Sequence, residues 1–146
     1  MIYDKLTSLG IVLPNLPPPV AKFVPTVRSG NLIFVSGHIS KRCGKLGDDV
    51  TVAEGQQAAR EVAIDLIARL HTVSGDLTKI SRIVKLLVLV NATPAFTEAH
   101  LVANGASELI GEVFGDAGAH ARSAFGVAQI PFGACVEIEL IAELRS

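Results

Sequence analysis

A chain of 146 residues is the size of one domain, and with 49% hydrophobic but only 5% aromatic residues its core must be aliphatic, built from Val, Leu, Ile and Ala. Only 18% of residues are charged, fewer than the roughly 25% of an average soluble domain, so association with another subunit is expected to cover part of the aliphatic surface. A net charge of −1 with scattered Lys and Arg speaks against nucleic acid as a partner, and the longest aliphatic stretch, Leu86–Val90, is far too short to span a bilayer.

Two cysteines, Cys43 and Cys135, form no CxxC pair, and no secretion signal precedes them, so a cytoplasmic protein without a structural disulfide is expected. Residues 1–22 read as an extension packed on a single domain spanning 1–146. Met1–Leu9 can form a short helix ended by Gly10. Pro14–Pro19 then forbids regular structure, and Leu13, Leu16 and Val20 give the segment apolar side chains with which to drape over the domain.

Strands follow at Phe23–Arg28 and Leu32–Ser36, joined by a Ser29-Gly30-Asn31 turn, with Gly37–Asp49 as a loop. Thr51-Val-Ala-Glu54 has the form of a capping box. It opens a helix whose apolar residues Ala59, Val62, Ala63, Leu66, Ile67 and Leu70 recur every three and four positions, leaving Arg60, Asp65 and Arg69 for solvent; Gly75 ends it. Ile83–Val90 is nearly continuous aliphatic, the pattern of a strand covered on both faces. Thr93 is placed to cap a second helix with Pro94 at its first position, running to about Phe114.

Ala121–Ile130 and Ala134–Leu144 read as strands on either side of Pro131-Phe132-Gly133. In the second, Val136, Ile138, Leu140, Ala142 and Leu144 face one side, and Cys135, Glu137, Glu139, Ile141 and Glu143 the other. The order β-β-α-β-α-β-β describes an α+β domain with two helices on one face of a mixed sheet.

Arg122 is the sharpest chemical feature. It shares a strand face with Ala124, Gly126 and Ala128, whose small side chains leave room before the guanidinium, and its planar fork suits a carboxylate. The competing reading is a surface arginine in a weak ion pair at a strand edge. Glu137 and Glu139 share Arg122's face only if the intervening turn makes an even-membered loop with Gly126 opposite Glu137. Even then Arg122 and Glu137 would lie about 13 Å apart at roughly 3.3 Å per residue, and would meet one ligand only between subunits; solvated strand glutamates are the alternative. His38, His71, His100 and His120 have no metal-binding spacing, so no metal is expected. His71 sits where it could face a helix dipole, and His120 could line Arg122's site or lie in a loop. GxSxG, GxGxxG and P-loop signatures are absent.

Phe34-Val-Ser-Gly-His38, Leu86-Leu-Val-Leu-Val90, Ala121-Arg-Ser123, Ile130-Pro131 and Val136-Glu-Ile-Glu139 together resemble the Rid (reactive intermediate deaminase) family. It is also called the YjgF family, and some members carry the label endoribonuclease L-PSP. The resemblance spans roughly residues 20–144. It implies a chorismate-mutase-like fold assembled as a homotrimer, with ligand clefts between subunits and no cofactor. By the same resemblance Arg122 matches the arginine that binds the substrate carboxylate and Glu137 the family glutamate. Ser36 and Gly37 match the loop after the second strand, and Asn104 a second-helix asparagine. Phe23 stands where the deaminases usually carry tyrosine, and Ala124 where cysteine is common.

Two functions are therefore expected to compete. One is hydrolysis of a carboxylate-bearing imine or enamine to a keto acid and ammonia. The other is non-catalytic binding of a small carboxylate metabolite on the same scaffold, which Phe23 favours. Ribonuclease activity, suggested only by the family label, is disfavoured by the near-neutral charge and scarce aromatics.

Overall fold

The computed structural model describes residues 1–19 and 21–146, so Val20 lies outside the described residues. A short helix α1 (Ile2–Ser8) precedes strands β1 (Thr26–Ser29) and β2 (Leu32–Ile39). Helix α2 (Val52–Ser74), strand β3 (Ile80–Asn91), helix α3 (Ala99–Phe114) and strands β4 (Ala121–Val127) and β5 (Val136–Leu144) follow. The five strands form one mixed sheet in the order β1-β2-β5-β3-β4, antiparallel except for the parallel pair β3–β4.

The capping box forms as the sequence dictates: Glu54 N donates to Thr51 Oγ1 at 3.1 Å and Thr51 N to Glu54 Oε1 at 3.0 Å. At the other end of α2, Gly75 takes the left-handed conformation (φ 77°) and its N–H caps the His71 carbonyl. The apolar stripe of α2 is buried from Ala58 to Leu70 against the sheet and α3. Arg69 is not left to solvent: its Nη2 donates to the Pro17 carbonyl at 2.9 Å and its Nε to His38 Nε2 at 3.0 Å. This contact fastens the proline segment, while Leu6 is buried and Ile2, Leu9, Ile11 and Leu13 pack against the core.

Three expectations about connections are corrected. Thr93 does not cap α3. Its N–H bonds the Leu46 carbonyl and the Phe96 N–H bonds back to the Thr93 carbonyl, so Thr93-Pro94 forms a turn and α3 begins only at Ala99, after Glu98. Gly37 does not open a loop, because a bulge between Val35 and His38 lets β2 continue to Ile39. Finally, β4 and β5 are not a hairpin but flank β3 on opposite sides. Phe125, not Gly126, is level with Glu137, because both pair with Leu89.

Helices α2 and α3 cover one sheet face, burying Leu86, Val88, Val90, Ile138, Leu140 and Ala142. Alternation then turns Leu87, Leu89, Ile141, Phe34 and Phe125 to the opposite face. There Phe34 and Phe125 are 41% and 48% exposed in the single chain. The continuous aliphatic run of β3 is thus covered on one side by its own helices, and its other side, where Leu87, Leu89, Phe34 and Phe125 lie beside Lys85, Glu137 and Glu139, carries no helix. Among the described residues, no helix is long and apolar enough to cross a membrane.

Candidate functional site

Arg122 is the second residue of the edge strand β4, and its pairing with Leu86 places it on the helix side of the sheet. Above it, His100, Asn104 and Ser107 recur at four and three positions along α3, so one stripe of that helix looks onto β4. The guanidinium is held by that stripe. Nη1 donates to Asn104 Oδ1 at 2.9 Å and to Ser107 Oγ at 3.1 Å, and Nη2 donates to the His100 carbonyl at 3.2 Å.

All of these acceptors are neutral. Among the described residues the side-chain ion pair is Arg42–Glu54, and no carboxylate lies within 4.0 Å of Arg122. Nε and one Nη2 hydrogen remain without an acceptor there, adjacent donors on a half-buried cation. On the same strand face, Ala124 and Gly126 present almost no side chain. Arginine's five donors in a rigid fork make such an arrangement suited to an acid from outside the chain.

Glu137 occupies the other face. Its carboxyl lies so close to Gly37 that a Cβ on that glycine would stand 2.2 Å from Oε2; the absent side chain is what seats the acid. Burial pushes the Glu137 carboxyl above the usual range, and Glu139 beside it adds to the shift. Next to it, Ser36 donates through Oγ to the Val24 carbonyl at 2.7 Å and through its N–H to the Pro25 carbonyl at 2.9 Å. These bonds fasten the segment carrying Phe23. Phe23, Gly37, His38 and the proline segment line a cleft of about 360 Å³.

The expected residues therefore fall into two groups. Arg122 and Asn104 meet under α3 with Ala124 on the same strand face, while at the far end of β2 and β5 Glu137 lies against Gly37, Phe23 lines a cleft with Gly37, and Ser36 bonds the segment that follows Phe23. Arg122 is level with Leu86 and Glu137 with Leu89. Two strand spacings and three residues of rise thus separate their Cα atoms by about 14 Å, with the side chains on opposite faces. Within one chain they cannot grip one small molecule.

Sequence reasoning missed Ser107 and the His100 carbonyl; the four- and three-residue spacing with Asn104 was the available signal. His120 does join Arg122's surroundings, through Ser107 at 2.9 Å. His71 instead bonds the Tyr3 hydroxyl at 2.8 Å. No cluster of three or more potential metal ligands occurs among the described residues.

Comparison with known proteins places this geometry. Protein TCP17 of Trypanosoma cruzi is 47% identical over 148 residues, covering 97% of this chain and 92% of its own. The crystal structure of Atu1372 from Agrobacterium tumefaciens, of unknown function, is 43% identical with a TM-score of 0.90, over 99% of this chain and 94% of that one. A Shewanella oneidensis protein described as an endoribonuclease is 29% identical with a TM-score of 0.95, over 99% of both chains. Residues 5–144 match the YjgF/chorismate-mutase-like family, whose description also carries the endoribonuclease label, and the chain belongs to that family.

Proposed function

We propose that the chain is one subunit of a homotrimer that hydrolyses a small 2-imino or enamine acid in clefts between subunits. Arg122, Asn104 and Ala124 come from one subunit, and Glu137, Ser36, Gly37 and Phe23 from its neighbour. The observation that carries this reading is the guanidinium held by three neutral acceptors, its charge uncompensated and two donors without an acceptor among the described residues. The open sheet face with Phe34 and Phe125 supports association, and the separation of the two groups calls for a second subunit.

Arg122 binds and orients the substrate carboxylate, fixing the imine carbon beside a water. Water attacks that carbon, and one of its protons passes through Glu137 to the imine nitrogen. The hydroxyl proton of the resulting carbinolamine follows the same route, the C–N bond breaks, ammonia leaves and the keto acid remains. A carboxyl whose proton affinity is raised by burial suits this shuttle better than a fully solvated one. The imine carbon is already electrophilic, so the scheme needs no cofactor. A net charge of −1 favours this reading over the endoribonuclease activity named in the description of relatives.

The test is release of ammonia and keto acid from freshly generated 2-iminopropionate or 2-iminobutyrate. Wild-type acceleration should fall on the order of 100-fold or more in Arg122→Ala, through loss of carboxylate binding and orientation. No acceleration by wild type refutes hydrolysis. Phe23, which lacks the hydroxyl of tyrosine, favours a second reading: binding of small carboxylates without turnover, recognised by Arg122-dependent calorimetric heats in an inactive protein.

A further inference from the structure

We infer that Ser107 and His120 are positioning residues for Arg122, forming a relay that fixes one edge of the guanidinium so that its free donors face an incoming acid. This rests on the carboxylate-binding reading of Arg122 and deepens it.

With the His120 ring neutral, each hydrogen bond in the relay has one possible direction. Arg122 Nη1 can only donate, so Ser107 Oγ must accept from it at 3.1 Å. The Gly118 carbonyl can only accept, so at 2.6 Å it takes the proton of His120 Nδ1. In the neutral ring that leaves Nε2 as an acceptor, and Ser107 Oγ, 2.9 Å away, supplies its single hydroxyl hydrogen to it. Each member has one role, and the chain from Gly118 through His120 and Ser107 to Arg122 polarises in one direction.

Ser107 behaves unlike the other hydroxyl side chains within long helices. Thr72 and Ser74 in α2 bond back to the carbonyls four residues earlier, at 3.1 and 2.6 Å, the usual local solution for such side chains. Ser107 makes no such bond among the described residues and turns across to β4. The turn that anchors His120 is also set by packing. A Cβ on Gly118 would come within 2.6 Å of the Ile110 carbonyl oxygen. Only glycine therefore lets this turn sit against α3 with its carbonyl under the imidazole.

The experiment is calorimetric titration of the intact protein with 2-oxobutyrate, a stable keto acid bearing the carboxylate in question. Ser107→Ala and His120→Leu should each weaken binding about tenfold, the effect of losing support for one charge-assisted hydrogen bond. Ser107→Thr keeps the hydroxyl, and His120→Gln keeps an acceptor near the Nε2 position; both should bind within about twofold of wild type. The double variant Ser107→Ala/His120→Leu should be no worse than the poorer single, because the two residues act as one unit. Nitrogen NMR of the wild type, at a pH where the ring is neutral, should show His120 as the Nδ1–H tautomer.

Binding by wild type, loss in Arg122→Ala, and unchanged affinity in Ser107→Ala and His120→Leu overturn the relay and leave the anion site standing. Wild type that binds no keto acid removes both. An Nε2–H tautomer at His120 overturns the relay even if the substituted proteins fail to fold.

Discussion

Replacing Gly105 with alanine tests the packing that sets the arginine site. Gly105 lies in α3 between Asn104 and Ser107, where a Cβ would stand 2.0 Å from the Gln56 carbonyl oxygen, 2.7 Å from its carbon and 2.8 Å from its Cα. These are backbone atoms of α2, which cannot rotate away. To reach even 3.0 Å the helices must part by roughly 1 Å, and a gap of that size forfeits a quarter to a half of the dispersion attraction of the atoms lining it. Overpacking of this kind typically costs about 1–3 kcal/mol and occasionally more, while alanine returns about 1 kcal/mol of helix propensity. A backbone-to-backbone overlap belongs at the upper end, so the net loss should be about 2–3 kcal/mol. At roughly 2–4 °C per kcal/mol for a chain of this size, Tm should fall by about 4–12 °C.

Gly111 is the internal control. It lies in the same helix with nothing within 4 Å of an added Cβ, so Gly111→Ala should raise Tm by about 2–4 °C. Calorimetric scans of both variants give the comparison. Because Asn104 and Ser107 flank the overlap, Gly105→Ala should also weaken keto-acid binding. Equal melting temperatures for the two variants would refute the close-approach argument.

Other substitutions probe other parts of the structure. The Glu137 carboxyl has a folded pKa raised above the ordinary 4.5 by burial and by Glu139. Its ionisation therefore opposes folding once pH rises through the folded value. Glu137→Gln should be the more stable protein at pH 8, with the advantage shrinking as pH falls and gone below the unfolded value, while the proposed hydrolysis is lost; thermal melts across pH and activity assays check both. Phe125→Glu places a charge on the open sheet face, and sedimentation velocity should show the proposed trimer reduced to monomers. An unchanged sedimentation coefficient would exclude that face from the interface. Thr51→Ala removes the hydroxyl that accepts from the Glu54 N–H at the start of α2 and should cost about 1 kcal/mol in denaturant titrations.

Local signals were the readable ones. The capping box at Thr51, the stop at Gly75 and the alternation of Val136–Leu144 each depend on neighbours in sequence, and each appears where the residues put it. Pairing between distant strands was not readable. Pro131-Phe132-Gly133 looks like a hairpin turn, yet β5 leaves β4 and inserts between β2 and β3, where its alternating apolar residues reach the core beneath α2. Thr93-Pro94 carries the chemistry of a helix start. It was diverted because Ala92 and Leu46 form a bridge that holds the Thr93 backbone elsewhere.

For the site, Arg122 stood out because of the small residues beside it. Ser107 and His120 did not, because a polar residue on a helix or in a loop reads as solvated until the facing strand is known. The disposition of Glu137 hinged on register: its face is set by pairing with Leu89 across a sheet, which the length of the intervening turn could not disclose.

The sheet order has a bearing on how this protein is made. Its middle strand, β5, is the last of the five to leave the ribosome. Until Val136–Leu144 emerges, the β1–β2 ribbon and the β3–β4 pair have no backbone partner to join them, and their apolar surfaces await a common seam. The cooperative step must therefore be late in synthesis. A nascent chain arrested anywhere before residue 136 should be a substrate for chaperones rather than a partly working subunit.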